Sequence, residues 1–206
     1  MPAEALPVQL PRAVYDAIIT HARAGAPEEI CGIVRGRGTA AFEAIPARNV
    51  AAERIENYTV DPQTLLLQFD FEDAGDAMMG IYHSHPVSPA YPSATDAWNA
   101  HYPESVYLIC SLEDEAAPVL RAWWLVAQNL AAAWGAADWD VLRAALPFRE
   151  VRPGLWGWFA DPASPLPAAV PAAADAPYYL VYALADEGAW IDGRLVTVRE
   201  SRVEIV

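Results

Sequence analysis

The 206-residue chain has room for one domain of ordinary size with an appendage, and a hydrophobic fraction of 54% is enough for a core. Its 13 basic residues stand against 27 acidic ones, a net charge of −14, which repels nucleic acid and anionic membrane and favours a partner with a basic surface. No apolar run reaches the roughly 20 residues of a membrane helix, and the start lacks the basic-then-apolar pattern of a secretory leader, so the expected location is cytoplasmic.

Leu10, Val14, Ile18 and Ala22 recur at helical spacing and predict a helix over 10–24 that Gly25 and Pro27 stop. Residues 29–35 predict a strand ending in a Gly36-Arg37-Gly38 turn, with 39–45 returning as a second strand. Asp61 followed by Pro62 offers an N-cap with proline at the first helical position, opening a helix through Leu65, Leu66 and Phe69. Residues 79–85 predict a strand, 86–92 a loop, 93–100 the start of a helix, and 106–112 and 119–126 two more strands. Cys31 and Cys110 fall in these apolar runs; they are too few for a disulfide framework and read as buried free thiols. All the basic residues are arginine, which excludes Schiff-base lysine chemistry.

Beyond residue 126 the texture changes. Trp134, Trp139, Trp156 and Trp158 stand among alanines and read as an added core, with an association surface as the sharper alternative. Residues 161–177 hold five prolines and read as an extended linker. The chain closes on strands around an expected Asp192-Gly193 turn. A faint echo joins residues 106–125 to 178–195, short of evidence for a repeat.

The chain has four histidines and places two of them, His83 and His85, two positions apart on the strand expected at 79–85. Alternate strand residues face the same way, with Cα atoms roughly 6.5 to 7 Å apart, so both imidazoles can reach one ion. On a helix the same spacing would splay them by about 200°. A catalytic zinc site wants three N or O ligands and an open position, and Asp96, at the start of the next helix, is the candidate third ligand. A histidine pair beside a turn is more often structural, and Ser93-Ala94-Thr95-Asp96 is by itself a capping box. A hydrolase also needs a general base, for which Glu28 and Glu29 at the edge of the first strand are candidates. The residues that metallo-β-lactamase-like hydrolases need after the second histidine are replaced by Pro86-Val87-Ser88. Barrel amidohydrolases need a longer chain and further histidines, whereas His21 and His101 read as bystanders.

In these residues the sequence resembles the JAMM (MPN+) metalloprotease family, whose pattern is His-x-His, seven residues, then Ser-x-x-Asp, with a glutamate far upstream. His83-Ser84-His85, the intervening 86–92 and Ser93 to Asp96 match without a gap, and Pro27, Glu29, Cys31 and Gly32 match the upstream Pro-x-Glu-x-Cys-Gly. That register selects Glu29 over Glu28. The likeness spans roughly residues 8–126 and is strongest to small bacterial members.

The resemblance implies an α/β fold, a mixed, curved β-sheet flanked by helices and cytidine-deaminase-like, with a Trp/Pro-rich C-terminal insertion or extension. It implies Zn2+ on His83, His85 and Asp96, with Glu29 as the base and Ser93 as the oxyanion donor. The implied substrate is a ubiquitin-like or sulfur-carrier protein with a C-terminal Gly-Gly tail, cut at the following peptide or isopeptide bond; a homodimer is left open. The expected division is a core over 1–126, a Trp/Ala/Pro-rich insertion with linker over 127–177, and strands over 178–206 packing on the core. Alternatives are a peptidase of cell-wall or phage-related peptides, and a metal-stabilised interaction module without turnover.

Overall fold

The computed structural model of the chain describes residues 6–129, 136–160, 176–185 and 188–206. The helix α1 (Arg12–Gly25) buries Val14, Ile18, Ile19 and Ala22, the face set out by the helical spacing of its apolar residues. Strands β2 (Cys31–Arg37) and β3 (Ala40–Ala47) form the expected hairpin, turning through Gly38 at φ 59, a left-handed conformation that glycine adopts without a Cβ penalty. The helix α2 (Pro62–Asp73) starts where Asp61 caps it: one carboxylate oxygen accepts from the Gln63 and Thr64 amides, and the other accepts from the Arg48 amide and the Thr64 hydroxyl.

Strand β4 (Ala77–His85) lies between β2, antiparallel to it, and β5 (Val106–Ser111), parallel to it, and all but its first residue are buried. The short helix α3 (Ala94–Trp98) fills part of the crossover from β4 to β5. In β5 the alternation is clean: Val106, Leu108 and Cys110 pack with α1 on one face, Tyr107 and Ile109 with Phe71, Ala94 and Ala97 on the other. Each such fully buried aliphatic side chain is worth about 1.5–3 kcal/mol over its exposed state. Cys31 and Cys110 are both buried and free.

Strand β6 (Val119–Asn129) pairs with β5 and, on its other side, with β10 (Trp190–Ser201) over eight positions, Arg194 to Ser201. Beyond β10 come β9 (Tyr178–Leu184), β8 (Leu155–Ala160) and β7 (Arg149–Arg152). At the other end β1 (Val8–Leu10) runs parallel to both β3 and β11 (Val203–Ile205). One mixed sheet of eleven strands results, in the order β11-β1-β3-β2-β4-β5-β6-β10-β9-β8-β7, flanked by helices as expected.

Two features depart from expectation. Asp192 and Gly193 do not make a hairpin turn but sit inside β10 at a bulge against β9. The reversal lies earlier, where the Ala185 amide donates to the Ala189 carbonyl and Gly188 takes φ 79. The helix α4 (Ala136–Ala145) and strands β7 and β8 were not foreseen in the tryptophan-rich segment. There Trp139 is fully buried with Leu142, Tyr178, Leu180, Tyr182 and Leu195, an added core. The linker expected over 161–177 lies outside the described residues except for 176 and 177, and Trp134 lies outside them too.

Asp61→Ala removes four accepted hydrogen bonds at the head of α2. Its expected cost is about 1–2 kcal/mol of stability, read as a lowered urea midpoint at unchanged slope.

Candidate metal centre

Because β4 is a central strand, its alternation is enforced on both sides, and His83 and His85 point into the same face with their Nε2 atoms 3.1 Å apart. Asp96, the third residue of α3, reaches the same point, with Oδ1 3.2 Å from His83 Nε2 and Oδ2 3.4 Å from His85 Nε2. The three side chains are buried, and one ligand atom from each lies within 4.8 Å of the others, a group that could hold a metal ion. The donor set fits that role: two imidazoles and one carboxylate make a catalytic-type site for a divalent ion of zinc's preferences.

Local chemistry fixes each ligand. His85 Nδ1 lies 2.8 Å from the Pro89 carbonyl, which can only accept, so Nδ1 carries the proton and Nε2 presents its lone pair inward. His83 Nδ1 is buried without a hydrogen-bond partner among the described residues; its ring is instead stacked on Tyr58, centroids 4.1 Å apart at 19°. Asp96 completes the expected capping box: its Oδ2 accepts from the Ser93 amide at 2.6 Å while Ser93 Oγ accepts from the Asp96 amide at 3.1 Å. Ser93 is exposed, and its O–H stays free of that cap bond, since the cap uses only an oxygen lone pair.

Glu29 lies within electrostatic reach of Asp96 and His85 and is buried at 8% exposure. Its backbone is held at both ends: the Glu29 amide donates to the Arg54 carbonyl, and Asn49 Nδ2 donates to the Glu29 carbonyl. Next to it, Ser84 Oγ accepts from the Ile30 amide and the Ser84 amide donates to the Ile30 carbonyl, locking the β2 entry to the histidine strand. Burial and the Asp96 charge push the Glu29 carboxyl up to about 8, against a smaller opposing pull from His85. Burial pushes Asp96 up too, but the two imidazoles, by charge and hydrogen bond, hold it well below the usual carboxylate range. Burial lowers His83, whereas for His85 the Asp96 carboxylate outweighs burial and raises it.

His83, His85 and Asp96 thus come together at one point, with Ser93 hydrogen-bonded to Asp96 and Glu29 near enough to feel the Asp96 and His85 charges, while His21 and His101 are elsewhere, the first against the Tyr82 hydroxyl and the second against Arg194. Sequence reasoning missed Tyr58, Asn49, Ser84 and the Pro89 carbonyl. Asn49 carried the fairest signal, being an amide in a polar connection. Its Oδ1 accepts from the Ala51 and Thr59 amides and its Nδ2 donates to the Glu29 and Asn57 carbonyls.

Comparison with known proteins bears on the same segment. The family described as prokaryotic homologs of the JAB domain matches residues 11–126. A protein named desampylase from Haloferax volcanii is 47% identical over 103 residues, 47% of this chain and 74% of that one. A CysO-cysteine peptidase from Mycobacterium tuberculosis is 36% identical over 117 residues, 55% of this chain and 79% of that one. The solution structure of protein DSY2949 from Desulfitobacterium hafniense shares 33% identity and a TM-score of 0.50, covering 56% of this chain and 82% of that one.

Glu29 also sets a pH dependence in the metal-free protein. A carboxyl raised on folding stabilises the fold fully below its unfolded value near 4.5, and that contribution is lost as pH rises through about 8. Metal-stripped Glu29→Gln, which stays neutral, is therefore expected to match the parent near pH 5 and to exceed its melting temperature near pH 8.

Proposed function

This chain belongs to the family of prokaryotic homologs of the JAB domain, and on that premise we propose that it is a zinc-dependent peptidase acting in the cytoplasm. Its substrate is a ubiquitin-like or sulfur-carrier protein with a C-terminal Gly-Gly tail, cut at the peptide or isopeptide bond that follows. The observation that carries the reading is the convergence of His83, His85 and Asp96 beside a buried acid, Glu29, and an exposed hydroxyl, Ser93. The peptidase names of the relatives support the reaction class, and names such as desampylase and CysO-cysteine peptidase support a protein-conjugate substrate. The pairing of β10 with β6 and of β11 with β1 supports reading 1–126 as the peptidase core, 127–177 as an insertion and 178–206 as strands returning to it.

His83, His85 and Asp96 would hold the ion, which when bound polarises the scissile carbonyl and acidifies water. The remaining work falls to the chain itself. Glu29, whose raised carboxyl suits exchange of a proton near neutral pH, takes a proton from the attacking water and returns it to the leaving amine. Ser93 donates its free O–H to the carbonyl oxygen as charge builds there, while its lone pair continues to cap α3. The Pro89 carbonyl keeps the His85 ring from turning. A di-glycine tail suits this reading because a thin, extended chain is the kind of segment that strand addition holds.

The test is incubation with di-glycine-tailed proteins bearing C-terminal extensions, read by mass spectrometry. Release of the extension after Gly-Gly is expected; a zinc-loaded protein that cuts none of them sinks the substrate reading. Glu29→Gln should lose about 10²- to 10⁴-fold in kcat with zinc retained, and Ser93→Ala about 10²- to 10³-fold. His83→Ala should lose the metal itself, seen as its absence in elemental analysis of the folded protein.

A further inference from the structure

The helix α3 carries Asp96, and Ser93 is its cap, yet it has only five residues. A helix that short does not hold its position by itself, because nucleation costs more than its few hydrogen bonds return. Ala94 and Ala97 pack on the core beneath it, and further supports come from beyond residue 126, outside the segment that matches the family. Ahead of the helix, the Tyr179 hydroxyl of β9 donates to the carbonyl of Pro92, the residue just before Ser93, at 2.7 Å. At its end, Arg194 of β10 donates to the Trp98 carbonyl at 2.9 Å and lies over the Trp98 ring, 4.6 Å from its centroid. Asp192 holds that guanidinium from the other side, 3.4 Å from its Nε. Between the two, the backbone of Gly157 in β8 approaches so closely that a Cβ there would lie 2.7 Å from the Ala94 Cβ.

We propose that β8, β9 and β10 act as a fixed clamp on the ligand-bearing helix. Tyr179 and Arg194 are positioning residues that set Ser93 and Asp96 through the carbonyls at the two ends of α3. The proposal rests on reading His83, His85 and Asp96 as a metal centre. Each side chain acts at a distance from the ligand atoms, by hydrogen-bonding the backbone at one end of the segment that carries Asp96. Groups that hydrogen-bond a metal ligand itself typically matter by about 10- to 100-fold in affinity or activity, and these two, acting one step further out, belong at the low end of that range. The Tyr179 ring is held independently of its hydroxyl, against Phe159 at 4.9 Å between centroids, so the two can be separated experimentally.

The experiment uses the full chain carrying Tyr179→Phe, which keeps the ring and removes only the donor. Expected are unchanged far-ultraviolet dichroism, zinc affinity lowered about tenfold in chelator competition, and a changed visible spectrum of the cobalt-loaded protein. Amide exchange at Ala97, whose N–H bonds the Ser93 carbonyl, should speed up, and kcat should fall with KM held. Leu142→Ala is the comparator, a cavity in the added core away from α3, expected to lower the melting temperature and leave zinc affinity alone. Arg194→Gln is the second variant, with the same expectations at the other end of the helix, and it decides the matter should Tyr179→Phe fail to fold. Parental zinc affinity, cobalt spectrum and exchange in the variants would overturn the proposal, as would an equal loss of zinc in Leu142→Ala. A wild-type protein that binds zinc and cuts nothing would remove the peptidase reading while leaving the zinc and exchange results to judge the clamp.

Discussion

The alternation of a central β-strand is the constraint on which the rest depends. A neighbour on each side, antiparallel β2 and parallel β5, leaves β4 no freedom to rotate, so residues two apart must share a face. Two imidazole nitrogens at 3.1 Å are the direct result. Everything nearby serves that contact. A carboxylate arrives to match the polar pocket, a carbonyl fixes one ring, and an aromatic ring fixes the other.

That arrangement is electrostatically demanding, because it buries groups that water would otherwise solvate. The structure meets the demand by opposing shifts. Asp96 keeps its charge through the two rings and the backbone amide of Ser93, while Glu29, close to the same negative charge, is driven towards its neutral form. Two carboxyls in one small site thereby acquire different protonation behaviour, which is how such pairs come to play different chemical roles. The shifts trace to named neighbours.

Much of this was legible in the sequence, wherever a local rule governs. The His-x-His phase, the Ser93 cap and the Asp61-Pro62 helix start are short-range patterns whose physics does not need the rest of the chain. The resemblance added the choice of Glu29 over Glu28, and the family match covers the same stretch. What escaped depends on long-range partners or on backbone atoms. The parallel pairing of β1, three residues long, with β11 joins segments nearly 200 positions apart, and no periodicity announces a strand of that length. The Pro89 carbonyl is invisible because every residue has one. Asp192-Gly193 misled because a dipeptide that favours a hairpin turn also tolerates a bulge, and pairing with β9 chose the bulge. The tryptophan-rich segment gave composition without period, so its elements had no signature beyond the expectation of a core.

The pairing of β1 with β11 has a consequence in time. During synthesis Val8 to Leu10 emerge nearly 200 positions ahead of Val203 to Ile205, which flank them in the sheet. The wall of the α1 core formed by β1 therefore stands without its outer neighbour until β11 has left the ribosome, and contacts of such sequence separation form slowly. Tyr179 and Arg194, which hold the ends of α3, also appear late. A nascent chain thus displays its two histidines long before it can seat the helix beside them, and a ribosome-bound fragment is a histidine strand without its finished surroundings.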